Sequence, residues 1–114
     1  MPSESVLAAL RDIAYQIGLA GHFIEGLDAA TFRDDLRTVY AVTRCLEIIS
    51  EASRRLPDEM KARHPSIAWR NMAGAGNVYR HDYEDVAADQ VWEAVKLALP
   101  PPRAVIELEL APPG

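Results

Sequence analysis

Apolar residues recur along the chain in steps of three and four. Val6, Leu10, Ile13, Ile17, Ala20 and Ile24 form the first such stripe. This is the spacing of an α-helix that buries one face along its whole length. Ser3 precedes it as an N-cap, and Glu4 sits in the first turn, where the helix dipole favours an anion. Gly26 offers a stop. Residues 28–32 read as a short connector or helical turn. A second stripe, Leu36, Val39, Val42, Leu46, Ile49, Ser53 and Leu56, predicts a long helix from Asp34 to Leu56, ended by Pro57. Tyr40, Cys45, Ile48 and Ala52 widen that stripe. A stripe this wide predicts burial on two sides, by several helices or by a second subunit.

Further on, Asp58 to His64 reads as one more helical turn closed by Pro65. Ser66 is the expected N-cap of a third helix, from Ile67 to Tyr79 or Tyr83. It contains Gly74 and Gly76, each about 1 kcal/mol less favourable than alanine in a helix. Two such residues point to close helix packing or close approach of a ligand. Asp85 to Ala88 reads as a turn, with Asp89 capping a fourth helix that carries Val91, Trp92, Val95 and Leu99. Pro100-Pro101-Pro102 should break it. Ile106 to Leu110 alternates with period two, as a strand would. A lone strand has no partner in a helical chain, so Arg103 to Leu110 is expected as a last short helix. The fold class is therefore all-α, one domain over residues 1–110 with a frayed tail at 111–114.

Composition narrows the function. The chain has 114 residues, 12.6 kDa and 49% apolar residues, enough for one domain with a real core. One cysteine, Cys45, excludes an intrachain disulfide and suits a reducing compartment. The N-terminal residues lack a basic region followed by an apolar run, so no signal peptide is expected. No stretch approaches the length of a membrane span. The expected location is cytoplasmic. A net charge of −5 excludes a broadly basic nucleic-acid coat and leaves only a local basic patch for RNA or DNA.

The run Ile67-Ala68-Trp69-Arg70-Asn71-Met72-Ala73-Gly74, then Asn77, then His81-Asp82-Tyr83, then Val91-Trp92, resembles the HepT-like branch of the HEPN domains. Upstream, Arg44-Cys45-Leu46-Glu47-Ile48-Ile49-Ser50-Glu51-Ala52 is similar to that family's long helix. The resemblance covers nearly the whole chain. It implies an antiparallel, up-and-down bundle of four to five helices that forms a homodimer. It also implies a toxin of a type VII toxin–antitoxin pair, acting as a metal-independent endoribonuclease. The implied partner is a minimal nucleotidyltransferase antitoxin that attaches AMP to the tyrosine of the His-x-Tyr element, here Tyr83. The family signature places an arginine ahead of that element, at positions that are Gly74, Ala75 and Gly76 here. The nearest arginines are Arg80 and Arg70.

Metal-free RNA cleavage needs proton transfer and a cation for the phosphate. His81 can carry the first because imidazole titrates near neutrality. Arg80 is the candidate for the second, since a guanidinium donates two parallel hydrogen bonds to phosphate. It lies about 100° around a regular helix from His81, within reach of a long side chain. Arg70 is eleven residues before His81, roughly 16 Å along such a helix, and would serve only across a dimer. Asn77, four residues before His81, could fix its tautomer or simply satisfy a polar partner at a dimer seam.

Other polar residues read as structural. His22, His64 and Cys45 lack metal-ligand spacing, and neither metal nor cofactor is expected. Cys45 is a packing residue. Of Glu47 and Glu51, one should face solvent and one pair with Arg44 or Arg55. Trp69 and Trp92 are expected as core or interface anchors. Asp82, Glu84 and Asp85 surround Tyr83; they would repel RNA but could help bind a Mg²⁺-nucleotide carried by a partner enzyme. Two readings follow. One is a dimeric ribonuclease using His81. The other is a catalytically weak HEPN binding module, partner and substrate of a nucleotidyltransferase, which the acidic balance and the missing arginine favour.

Overall fold

The computed structural model describes residues 2–78 and 84–112, the side chains of residues 75–78 and 84–87 excepted. Every regular element among them is helical, in keeping with the all-α expectation. These are α1 (Glu4–Phe23), α2 (Ala29–Asp34), α3 (Leu36–Arg54), α4 (Asp58–Ala62), α5 (Trp69–Val78), α6 (Glu84–Glu93) and α7 (Pro100–Leu110), with a π-helical turn, Ala94–Ala98, between the last two.

Capping chemistry sets the starts. The Ser3 hydroxyl accepts from the Val6 N–H at the head of α1. Residues 28–32 are a true helix start rather than a connector: Asp28 and Thr31 form a reciprocal capping box. Asp35 then accepts from both the N–H and the hydroxyl of Thr38. Asp35 adopts a non-helical ψ of 85°, so the long helix expected from Asp34 is divided there and α3 begins at Leu36. Gly26 takes φ +80°, the left-handed conformation that lets the chain leave α1.

The C-terminal half departs most from the periodicity. The span from Asp85 to Ala88 is helical, not a turn, and Asp89 lies inside α6 instead of capping it. The third helix starts at Trp69, two residues later than expected. The three prolines open α7 as well as ending what precedes it. They offer no N–H to the carbonyls of Lys96, Leu97 and Ala98. The chain widens into the π turn, in which the Leu99 N–H reaches the Ala94 carbonyl at 2.9 Å. The prolines then occupy the first turn of α7, where missing donors cost little, and the Arg103 N–H resumes the ladder on the Leu99 carbonyl.

The core follows the first stripe closely: Val6, Leu10, Ile13, Ile17, Ala20 and Ile24 are all buried. In α3 the buried set is Val39, Val42, Cys45, Leu46, Ile49 and Ala52, with Leu56 just beyond, while Leu36 and Tyr40 are exposed. Ser53 is fully buried in the same stripe because its hydroxyl donates to the Ser50 carbonyl at 2.7 Å, leaving no unpaired donor. α1 packs on α3 and α7, α3 packs on α5, and α2 touches both α3 and α6. Phe32 of α2, fully buried, meets the Trp92 ring at 5.3 Å between centroids.

Charged pairs tie the ends together. Arg55 meets Asp12 at 3.0 Å, and Arg33 meets Asp89 at 2.8 Å, both in the open, where such pairs contribute at most about 1 kcal/mol. Glu109 near the end of α7 is more enclosed, its side chain 13% exposed. It receives Arg63 and His64, each at 2.7 Å. The Arg63 guanidinium, and then the His64 ring, hold its carboxyl below the usual carboxylate range. Because the folded state favours the ionised form, this stabilisation is present above the unfolded carboxylate pKa, near 4.3, and is lost as pH falls through the lower folded value. The caps Asp28 and Asp35, held low chiefly by hydrogen bonds from Thr31 and Thr38, add slopes of the same sign. Urea unfolding from pH 7 to pH 2.5 should therefore show falling stability below about pH 4.5. Glu109→Gln should flatten part of that slope and lower stability at pH 7; an unchanged slope would show that the Arg63–Glu109–His64 cluster is not linked to folding.

Candidate functional site

Arg80, His81 and Tyr83, three of the four candidate residues, lie in sequence between α5 and α6, two helices that are each fastened to the body. α5 is held at its head, where the Trp69 indole N–H donates to the carbonyls of Lys61 and His64, both at 3.1 Å. Lys61 lies in the last turn of α4 and His64 two residues beyond it; each carbonyl also takes a turn N–H, from His64 and Ile67 respectively. Midway along α5, the Ala73 carbonyl accepts three side-chain hydrogen bonds from α3. One comes from the buried Ser50 hydroxyl at 2.5 Å. Two come from Arg54, through Nε at 3.1 Å and Nη2 at 2.7 Å.

On the far side, α6 is held by α2. Arg33 donates to one oxygen of Asp89 through Nε at 3.2 Å and Nη2 at 2.8 Å. Trp92 stacks obliquely against Phe32, and the Lys96 ammonium lies 5.2 Å from the Trp92 ring centre. The end of α5 and the start of α6 are thus both positioned by contacts remote from the connecting residues.

Of the expected site residues, Arg80, His81 and Tyr83 lie outside the described residues, as does Asp82. Asn77 falls in the last turn of α5, its side chain outside the description. The side chains of Glu84 and Asp85, which open α6, are likewise outside it. Arg70 is exposed in the first turn of α5. Among the described residues a Cβ built on Gly74 meets nothing within 4 Å, so packing on them does not account for that glycine. The convergence of Ser50 and Arg54 on Ala73 is the feature that reading the sequence missed. Ser50 and Arg54 lie 23 and 19 residues from Ala73 in the chain, and no local pattern pairs them with it.

The remaining polar candidates have structural settings. His22 is exposed beside Glu25, and His64 belongs to the Glu109 cluster. Glu47 meets Arg44 at 3.6 Å, while Glu51 faces solvent. Cys45 is buried, which pushes its thiol pKa up and leaves it a packing residue. Among the described residues no three His, Cys, Asp or Glu side chains converge as a metal site requires. A cleft of about 390 Å³ opens between α3, the head of α5 and the π turn. Leu46, Ile49, Ile67, Met72 and Leu97 line much of it, and none of its described lining residues titrates.

A family model for the HepT-like ribonucleases matches residues 13–108, which take in α5, the connection and α6 whole. The chain belongs to the HepT-like family. It is 40% identical to a Thermococcus cleftensis protein named "Probable ribonuclease HepT", over 80% of this chain and 83% of that one. It is 32% identical to "Putative RNase MJ0125" of Methanocaldococcus jannaschii, over 88% of this chain and 86% of the relative. A second protein of that organism, "Putative RNase MJ1380", is 31% identical over 95% of this chain and 99% of its own length. No solved structure matches significantly. In this HepT-like chain the His81-x-Tyr83 element follows α5 in the sequence. No helix among the described residues is long and apolar enough to cross a membrane.

Proposed function

We propose that this HepT-like chain is the toxin of a type VII toxin–antitoxin pair, a metal-independent endoribonuclease acting through His81. The observation that carries the reading is the family match across residues 13–108 together with the intact His81-Asp82-Tyr83 element. The names of its relatives support RNA as the substrate. In this reading His81 removes the proton of the 2′-hydroxyl, and the oxygen attacks the adjacent phosphorus. The 5′-oxygen leaves with a proton, and the upstream fragment ends in a 2′,3′-cyclic phosphate. Arg80 pairs with the phosphate, and Asn77 fixes the His81 tautomer. The alternative, a catalytically weak binding module, draws on the absence of arginine at positions 74–76.

Tyr83 is the acceptor of AMP from a minimal nucleotidyltransferase antitoxin. Its oxygen attacks the α-phosphorus of ATP, and pyrophosphate leaves. The added phosphate beside His81 would repel and exclude an RNA phosphate. Self-association completes the reading. The wide stripe of α3 and the apolar cleft with Leu97 at its edge, 73% exposed, support a homodimer.

Three outcomes are expected. Purified chain should cut RNA to cyclic-phosphate ends in the presence of EDTA, and His81→Ala should abolish the cut; loss on chelation would overturn the metal-free chemistry, and no cleavage by the unmodified chain would favour the binding-module reading. Co-expression with the partner should raise the intact mass by one or more AMP units, a gain that Tyr83→Phe removes; a gain that persists in the Phe variant would assign the acceptor elsewhere. Light scattering should give twice the 12.6 kDa chain mass at micromolar concentration, and a stable monomer would contradict the dimer.

A further inference from the structure

The arginines of this chain fall into different settings. Arg33, Arg55, Arg63 and Arg103 meet Asp89, Asp12, Glu109 and Glu107 at 2.8, 3.0, 2.7 and 3.1 Å. Their charges are largely cancelled. Arg54 is oriented just as firmly, but by a neutral group, the Ala73 carbonyl. Among the described residues it meets no carboxylate, and it is exposed. A carbonyl fixes the plane of the guanidinium without neutralising it. Among the described residues the Nη1 edge keeps its donors, and the planar fork can direct them in parallel at two oxygens of a phosphate. Holding the fork in place beforehand lowers the entropy cost of binding.

Its place on α5 matters as much as its charge. Ala73 directly precedes Gly74, Ala75 and Gly76, none of which can offer a cation. Among the described residues nothing lies within 4 Å of a Cβ built on Gly74. From Ala73 to the end of α5 at Val78 the helix rises about 7.5 Å, and His81 follows three residues later. We propose that Arg54 is a phosphate-binding residue of the RNA site, holding a backbone phosphate against α5 where residues 74–76 supply no charge. This rests on the ribonuclease reading above.

The test uses the full chain and a single-stranded, 2′-O-methylated RNA, which binds but cannot be cut, with affinity measured from 50 to 300 mM salt. Arg54→Ala should weaken binding about tenfold and reduce the slope of log K against log salt by about 0.7, one phosphate contact on a single strand. Arg54→Lys should keep the slope. Ser50→Ala, which removes a neutral donor to the same carbonyl, should also keep it. Gly74→Arg placed in the Arg54→Ala background should restore both affinity and slope. Unchanged binding by Arg54→Ala overturns the proposal, and so does an equal loss of slope in Ser50→Ala, which would trace the effect to packing. Cleavage of unmethylated RNA by the unmodified chain, measured alongside, shows whether the ribonuclease reading survives such a failure; a chain that neither binds nor cuts RNA overturns both.

Discussion

Helix α3 lies between α1 and α5, and α5 reaches the rest of the described molecule chiefly through it. Its burial on two sides is what gives the short α5 a defined position. A ten-residue helix with Gly74 and Gly76 in it would be marginal in water on its own. Packing on α3 and the three hydrogen bonds to the Ala73 carbonyl provide the missing stabilisation. The direction in which α5 delivers the chain to His81 is therefore set by residues of another helix, Ser50 and Arg54.

The opposite side of the candidate site depends on a different constraint, the shortage of backbone donors at Pro100, Pro101 and Pro102. The π turn relieves that shortage by letting the Leu99 N–H reach five residues back, to Ala94. It keeps Val91, Val95 and Leu99 in the core while α7 departs to pack on α1. The same stretch leaves Leu97 pointing outward beside the apolar cleft. One run of prolines thus shapes both the packing of α7 and an exposed apolar edge.

Electrostatics in this acidic chain is mostly local pairing. Among the described residues five arginines meet carboxylates across or along helices, and the enclosed Glu109 takes both an arginine and a histidine. Against that background a positive charge held by a carbonyl stands out, because net charge alone would argue against contact with RNA. A chain at −5 can still present a local cation if its acidic groups are engaged elsewhere.

Much of the molecule is legible in its sequence. The six-residue stripe of α1 is buried to the last member, because a 3.6-residue period leaves one face for the core and no alternative. The all-α class, the N-cap at Ser3, the positive-φ stop at Gly26 and the family itself follow from local pattern and motif order. Helix ends were less legible where two local signals competed. Asp35 could continue a helix or cap one, and its contacts with Thr38 decided for the cap. Asp89 looked like a cap, yet Arg33, 56 residues away, takes its carboxylate inside a helix. The candidate site divides along the same line. His81, Tyr83, Arg80 and Asn77 are candidates because a family resemblance is carried by a linear motif. Arg54 is not among them, because its relation to Ala73 exists only once α3 and α5 are side by side. Periodicity and motif are properties of neighbours in the chain; a hydrogen bond between a side chain and a distant carbonyl is decided by packing alone.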